Sequence, residues 1–178
     1  WVDETSALSP SGARGRKRMD AEAGWLDLWR CDRVPVHIFR LAGIYGPGRS
    51  ALDQARGGGA KRIRKPGQVF SRIHVADIAA VLMASMSRPN GGAIYNVCDD
   101  TPAPSDEVLA FACELLGIAP PPIVAFADAE LSEMARSFYA DNKRVRNERI
   151  KSELGVSLRY PDYKQGLGAL AEKRREGG

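Results

Sequence analysis

Between Val34 and Ile44 the chain reads Val-Pro-Val-His-Ile-Phe-Arg-Leu-Ala-Gly-Ile, rich in β-branched and aromatic residues but without polar/apolar alternation. A run of that kind reads as a strand covered on both faces, and such strands belong to parallel sheets whose crossovers are helices. Tyr45-Gly46-Pro47-Gly48 ends it with turn formers. Ala93 to Val97 reads as a second buried strand, so the predicted order alternates helix and strand in the α/β manner. A parallel sheet of two or three strands is marginal by itself, and this one is expected to need neighbouring strands from outside the sequence.

The helices follow from period and punctuation. Met19, Ala23, Leu26 and Trp29 place a helix over about Arg16 to Trp29, with Cys31-Asp32-Arg33 as linker. A short helix is read at Ala51–Ala55, an extended piece at Val69–Val75, and a helix from about Asp77 that buries Ile78, Val81, Leu82 and Met86 and ends at Pro89-Asn90-Gly91-Gly92. Ser105 to Leu116 is the clearest helix: Ser105 as cap, Asp106 and Glu107 at the positive end, Val108, Leu109, Ala112, Leu115 and Leu116 as the stripe, Gly117 as the stop. Beyond Pro120-Pro121-Pro122, a strand at Ile123–Phe126 and helices at Ala129–Arg136 and Val145–Leu154 complete the reading. There is no internal repeat.

The 178 residues are 44% hydrophobic and 27% charged, which fits neither a disordered tail nor a membrane protein. A net charge of +4 permits an anionic ligand without requiring one. Lys61-Arg62-Ile63-Arg64-Lys65 and Lys173-Arg174-Arg175 give a minor nucleic-acid reading, but no aromatic interleaving accompanies them and solvated surface explains them equally. Cys31, Cys98 and Cys113 lack disulfide-framework and zinc-ligand spacing, so no metal is expected and a reducing, cytoplasmic setting is. The chain opens at Trp1 without Met, in the loop-like stretch Asp3-Glu4-Thr5-Ser6, which reads as a cut.

Four ordered blocks resemble the extended short-chain dehydrogenase/reductase superfamily, the NAD-dependent epimerase/dehydratase family. They are Val2-Asp3-Glu4-Thr5 with Pro10 and Glu22; Arg40 to Gly48; Arg72-Ile73-His74-Val75-Ala76-Asp77-Ile78-Ala79; and Tyr95-Asn96-Val97. Asp141-Asn142-Lys143-Arg144-Val145 with Leu154-Gly155 resembles the family's C-terminal helix. Singly, each block has a structural reading: Gly-Pro-Gly is a turn, and His74 ahead of a helix is a hydrogen-bonded structural histidine. The resemblance implies the C-terminal part of a doubly wound Rossmann-like NAD(P)-binding fold with a small α+β substrate-side region. Residues 1–118 would be the later part of the cofactor domain and 119–178 the substrate side. It also implies a preceding Rossmann half that carries the Gly-rich phosphate turn, because no G-x-G-x-x-G exists here and Gly57-Gly58-Gly59 is a poor substitute.

Active relatives carry Tyr-x-x-x-Lys, in which a phenol of lowered pKa passes a proton while hydride moves. Registering Pro10 and Glu22 puts Arg14 at the tyrosine position and Arg18 at the lysine position. Arginine remains protonated and offers only donors, so it cannot act for the phenol. Arg18 is read either as a ribose or phosphate contact or, with Arg14, Arg16 and Lys17, as a solvated basic face. Phe70 stands where some sugar-nucleotide relatives hold a diphosphate with arginine, while Arg72 occupies a usually aromatic position.

These departures match the atypical branch of the family. The implied function is NAD or NADP binding with redox chemistry absent or altered. Two alternatives stand beside it: an active nucleotide-sugar or carbonyl epimerase, dehydratase or reductase, and a non-enzymatic dinucleotide sensor or interaction module. Resemblance places Arg40, Leu41, Ala42, Gly43 and Ile44 beside the cofactor and Tyr45, Arg72 and His74 on the substrate wall. Arg40, a charge inside an apolar strand, needs a partner or a ligand. The expected partners are the dinucleotide, a small molecule and a second copy of the chain in a homodimer.

Overall fold

Parallel pairing between strands distant in sequence organises the molecule. The computed structural model describes residues 1–10 and 12–176. Its elements are α1 (Ala13–Asp32), β1 (Ile38–Leu41), β2 (Gly43–Tyr45), α2 (Ala51–Arg56), β3 (Arg62–Arg64), β4 (Arg72–His74), α3 (Val75–Ser87), β5 (Ile94–Val97), α4 (Ser105–Leu116), β6 (Ile123–Ala125), α5 (Glu133–Ser137), α6 (Glu148–Ser152) and α7 (Tyr163–Glu176). β1 pairs with β5, β2 with β4 and β3 with β6, all parallel. A further parallel bridge joins Val2 to Val145.

The expected strand Val34–Ile44 is two strands with different partners. Ala42 donates to the Val97 carbonyl (3.0 Å) and Gly43 to the Ser71 carbonyl (3.1 Å), so the chain passes from β5 to β4 between adjacent residues. A Cβ at Gly43 would lie 3.3 Å from the Ser71 oxygen, which is why this crossing takes a glycine. Residues 34–37 stay outside the sheet: Pro35 has no N–H to donate, and His37 instead accepts from the Asn90 amide at 2.8 Å.

Several helix boundaries also move. α3 starts two residues before the expected Asp77 and turns a different face inward: Asp77, Val81 and Ser85 are buried, whereas Leu82 and Met86 are exposed. The buried Asp77 carboxylate accepts from the Arg159 and Tyr160 amides (2.7 and 3.1 Å), which offsets its burial. α4 matches its expected span and ends on Gly117 at φ 66°, but Pro104 is its N-cap, and the Ser105 hydroxyl faces the Tyr139 hydroxyl at 3.0 Å instead of capping. The predicted helix Ala129–Arg136 shrinks to α5, which starts where Ser132 caps the Ala135 amide. The predicted helix Val145–Leu154 shrinks to α6, because Arg144 and Arg146 hydrogen-bond Val2 and hold that stretch extended.

Two apolar cores result. One joins Leu52 of α2, Val108 and Ala112 of α4 and Tyr163, Leu167 and Leu170 of α7. The other joins Ile73, Val81, Tyr95 and Val97 to Ile150, Leu154 and Val156. Both draw residues from either side of position 118. α1 lies outside them and is fastened by Trp29, whose indole rests on Gly91 and Gly92 so closely that a Cβ on either glycine would come within 2.5 Å of the ring. Among the described residues no helix is long and apolar enough to cross a membrane.

Candidate functional site

The carboxyl end of β1 opens into a cleft of about 560 Å³. Leu41, Ala42 and Gly43 form one wall, the 2–9 segment a second, and Phe70, Ser71, Phe138 and Lys143 a third. Doubly wound folds place ligands at this end of their strands. The 2–9 segment keeps its shape through Asp3, whose carboxylate accepts from the Thr5 amide (2.9 Å), the Thr5 hydroxyl (2.7 Å) and the Ser6 hydroxyl (3.1 Å). Those bonds, that from the Thr5 hydroxyl first, hold the Asp3 carboxyl below its ordinary pKa.

Arg40 also borders the cleft, but its charge is met from within the protein. Its Nε and Nη2 donate to the two Glu22 oxygens (3.0 and 2.6 Å), and its Nη1 reaches the Glu4 carbonyl at 3.4 Å. The Glu4 carboxylate in turn accepts from the Asn96 amide at 2.7 Å. Glu4, Glu22, Arg40 and Asn96, drawn from three separate motif blocks, thus form one clasp that joins the 2–9 segment, α1, β1 and β5. Bidentate geometry on a largely buried pair makes this a strong ion pair.

The other predicted site residues divide. Arg14 and Arg18 are exposed on α1 and line neither this cleft nor the smaller cavity beside β2. Ile44, Tyr45 and Arg72 line a second, smaller cavity that shares only Gly43 with the first. His74 lines neither; its Nδ1 accepts from the Ala76 amide (3.1 Å) as the cap of α3, and its ring packs 4.2 Å from Tyr160 and 5.2 Å from Tyr45. Burial lowers the His74 pKa, against the pull of Asp77. Burial likewise pushes the Tyr45 phenol above its ordinary value, with Asp99 and Asp77 adding to it.

Beneath Arg72 lies a group the motif reading missed. Asp99 is 1% exposed, and neither of its carboxylate oxygens has a hydrogen-bond partner among the described residues. Burial raises its pKa to about 7, with the Arg72 charge opposing. Its neighbour Cys98 is pushed up to about 12, also by burial first. Phe138 is a further cleft residue that local sequence pattern does not single out, and Lys143 lies in the Asp141–Val145 block without a site role assigned to it there. Tyr163 of the smaller cavity had a signal, the helical spacing Tyr163, Leu167, Leu170, Ala171.

The basic run at 61–65 meets partners within the protein. It folds into β3, with Arg64 on Asp106 (2.7 Å), Arg62 on the Asp106 carbonyl (3.2 Å), Lys65 on the Tyr139 carbonyl and Lys61 near Glu130 (3.7 Å). In the second basic run, the Arg174 and Arg175 side chains lie outside the described residues. Among the described residues no cluster of His, Cys, Asp and Glu has metal-binding geometry.

Leu41, Ala42 and Gly43 offer backbone and small side chains against which a flat ring and its ribose can lie. Among the described residues the strand-to-helix turn with glycines is Gly46-Pro47-Gly48, which joins β2 to the six-residue α2 without a G-x-G-x-x-G, and Gly57-Gly58-Gly59 follows α2 and leads into β3. The lining leaves room for a flat ring and a ribose, and no phosphate-binding turn at a helix N-terminus borders the cleft among the described residues.

No protein-family model matches the chain. Protein YeeZ of Escherichia coli (strain K12) is 28% identical over 161 residues, which is 90% of this chain and 53% of YeeZ. The chain thus spans about half the length of the curated relatives it matches. A functionally unknown conserved protein from Silicibacter pomeroyi DSS is 59% identical and superposes with a TM-score of 0.92 over 98% of this chain and 60% of that one. MoeE5, in complex with UDP-glucuronic acid and NAD, superposes with a TM-score of 0.79 at 22% identity over 99% of this chain and 60% of its own. The dTDP-glucose 4,6-dehydratase of Bacillus anthracis, in complex with NAD, does so with 0.75 at 20% identity, over 97% and 55%. At those identities the likeness establishes the fold alone, a mixed α/β arrangement with parallel strand pairs like that of these two proteins.

Proposed function

We propose that this chain carries the later part of an NAD- or NADP-binding site, together with a substrate side, in a protein of the epimerase/dehydratase family whose redox chemistry is absent or altered. The observation that carries the reading is the cleft at the carboxyl end of β1, walled by Leu41-Ala42-Gly43 and roofed by the 2–9 segment. Residues 1–118 serve the cofactor side in this reading and 119–178 the substrate side. The pyrophosphate is left to the Gly-rich half that the resemblance places before Trp1.

A bound dinucleotide supplies a hydride donor or acceptor. What the chain does not bring to the cleft is a phenol: among the described residues no tyrosine lines it, and its hydroxyls are those of Ser6, Ser9, Ser71 and Ser137. A serine hydroxyl does not titrate near neutral pH, and Arg14 and Arg18 carry donors only. The remaining titratable groups of the cleft wall are Asp3, Arg40, Asp141 and Lys143. Arg40 is committed to Glu22, which makes it an organiser of the wall rather than a ligand contact.

Calorimetric titration of the full-length protein with NADH and with NADPH tests the reading. Saturable binding of either nucleotide supports it, and no binding of either at millimolar concentration refutes it. Arg40→Met is expected to weaken that binding by unfastening the cleft wall. Arg14→Ala, on an exposed face, is expected to leave it within about threefold of the parent.

A further inference from the structure

The smaller cavity, about 300 Å³, is enclosed by β2, α2, α4 and α7. Its apolar surface comes from Val108, Leu109 and Leu167, and its polar groups include Arg49, Gln54, Ser105, Tyr163 and Arg72.

Arg72 has unspent capacity. Its Nη1 donates to the Phe70 and Ala103 carbonyls (2.8 and 2.9 Å), both uncharged. Its Nε and Nη2 make no hydrogen bond among the described residues, and Asp99, the acid that acts on it most strongly, forms no ion pair with it. Burial lowers the Arg72 pKa, the mark of a cation whose lost hydration is only partly replaced. The Nε–Nη2 edge of a guanidinium presents two parallel donors that match the two oxygens of a carboxylate. Tyr163 is 6% exposed and lines the same cavity.

Charge and size narrow the ligand. Against the two cations of the wall, Arg72 and Arg49, stand the acids Asp99, Glu107 and Asp162 that act on Arg72, Tyr45 and Tyr163, so a second negative charge on the ligand meets no surplus cation. A volume of about 300 Å³ is the lower end of the range for ligand cavities and suits a small acid better than a nucleoside diphosphate. Tyr45, Tyr163 and Leu109 offer ring and methyl surface to an apolar body.

We propose that this second cavity binds a small organic monocarboxylate with an aromatic or branched apolar body, its carboxylate on the Nε–Nη2 edge of Arg72 beside the Tyr163 hydroxyl. The assignment does not depend on dinucleotide binding. The two cavities share the Gly43 backbone as a common wall.

The test is calorimetry on the full chain with sodium benzoate as probe, and with inorganic phosphate and UDP as the dianionic and oversized comparisons. Expected are one saturable benzoate site, a loss of about tenfold or more in Arg72→Met, and a similar loss in Gln54→Trp, which fills the exposed mouth and leaves the guanidinium in place. Lys143→Met, in the other cleft, should leave benzoate affinity unchanged. Circular dichroism checks that Arg72→Met folds; if it does not, Gln54→Trp and Leu109→Phe decide. Benzoate that fails to saturate by about 10 mM overturns the proposal. So does binding insensitive to the cavity variants, or binding of phosphate or UDP as tight as that of benzoate.

Discussion

α1 and α4 are both well-formed helices, yet they are held in opposite ways. α4 has 12 residues and buries Asp106, Val108, Leu109, Ala112 and Cys113, packing between α2, α7 and β3. α1 has 20 residues and buries Leu26 alone; what fixes it are the Glu22–Arg40 ion pair and the Trp29 indole on a pair of glycines. One helix is secured by area and the other by two points. Area burial is tolerant and additive, while point attachment concentrates its stabilisation in a few atoms and fails when one is removed.

The largest expected effect is on the area side. Leu167→Ala in the α2–α4–α7 core should cost about 3 kcal/mol, read from the shift of a urea midpoint, and Leu26→Ala clearly less. Equal costs for the two would break the contrast. Next comes Asp99, buried with neither carboxylate oxygen hydrogen-bonded among the described residues. Its folded pKa of about 7 exceeds its unfolded value, so the folded state holds a proton that the unfolded chain releases between about pH 4 and 7. Stability therefore falls as pH rises through that window and levels off above it. Asp99→Asn should raise stability by a few kcal/mol at pH 8 and by almost nothing at pH 4. His74, whose folded pKa is lowered, contributes the opposite slope near its own titration, so the informative quantity is the difference between parent and variant at each pH.

On the point-attachment side, Glu22→Gln leaves the Arg40 guanidinium without its counter-charge and should cost about 2 kcal/mol. Its signature is a gain in hydrogen exchange confined to α1 and β1, and exchange that rises uniformly would remove α1's special status. Smaller again is Gly92→Ala, about 1–2 kcal/mol, because the added methyl meets the Trp29 ring at a residue with φ 82°. In a Trp29→Ala background the steric part should disappear, which a double-mutant cycle measures. Smallest is Lys61→Ala, an exposed pair with Glu130, expected within about 0.5 kcal/mol of the parent.

The same contrast explains what the sequence disclosed. α4 was legible because its apolar stripe and its Gly117 stop lie within one window of the chain. α7 has a comparable stripe, but Gly166 and Gly168 lower its helical propensity, and its packing reason is remote: a Cβ at 166 would collide with the Tyr45 ring. The Val34–Ile44 run displayed its β character but not its division, since the change of partner at Gly43 depends on Ser71 and Val97. Arg40 was recognised as needing compensation, yet nothing local designates Glu22, 18 positions away, as its source. Asp99 was invisible for the complementary reason: an acid just after a strand looks like an ordinary surface residue until the fold closes over it.

The seating of Trp29 has an optical consequence. Of the three indoles, Trp1 and Trp25 are 66% and 58% exposed, while Trp29 is half-buried on the Gly91–Gly92 backbone. Iodide should therefore quench two emitters freely and spare the third. Emission that survives the quencher then serves as a built-in gauge of whether α1 is docked, readable at nanomolar protein without any label.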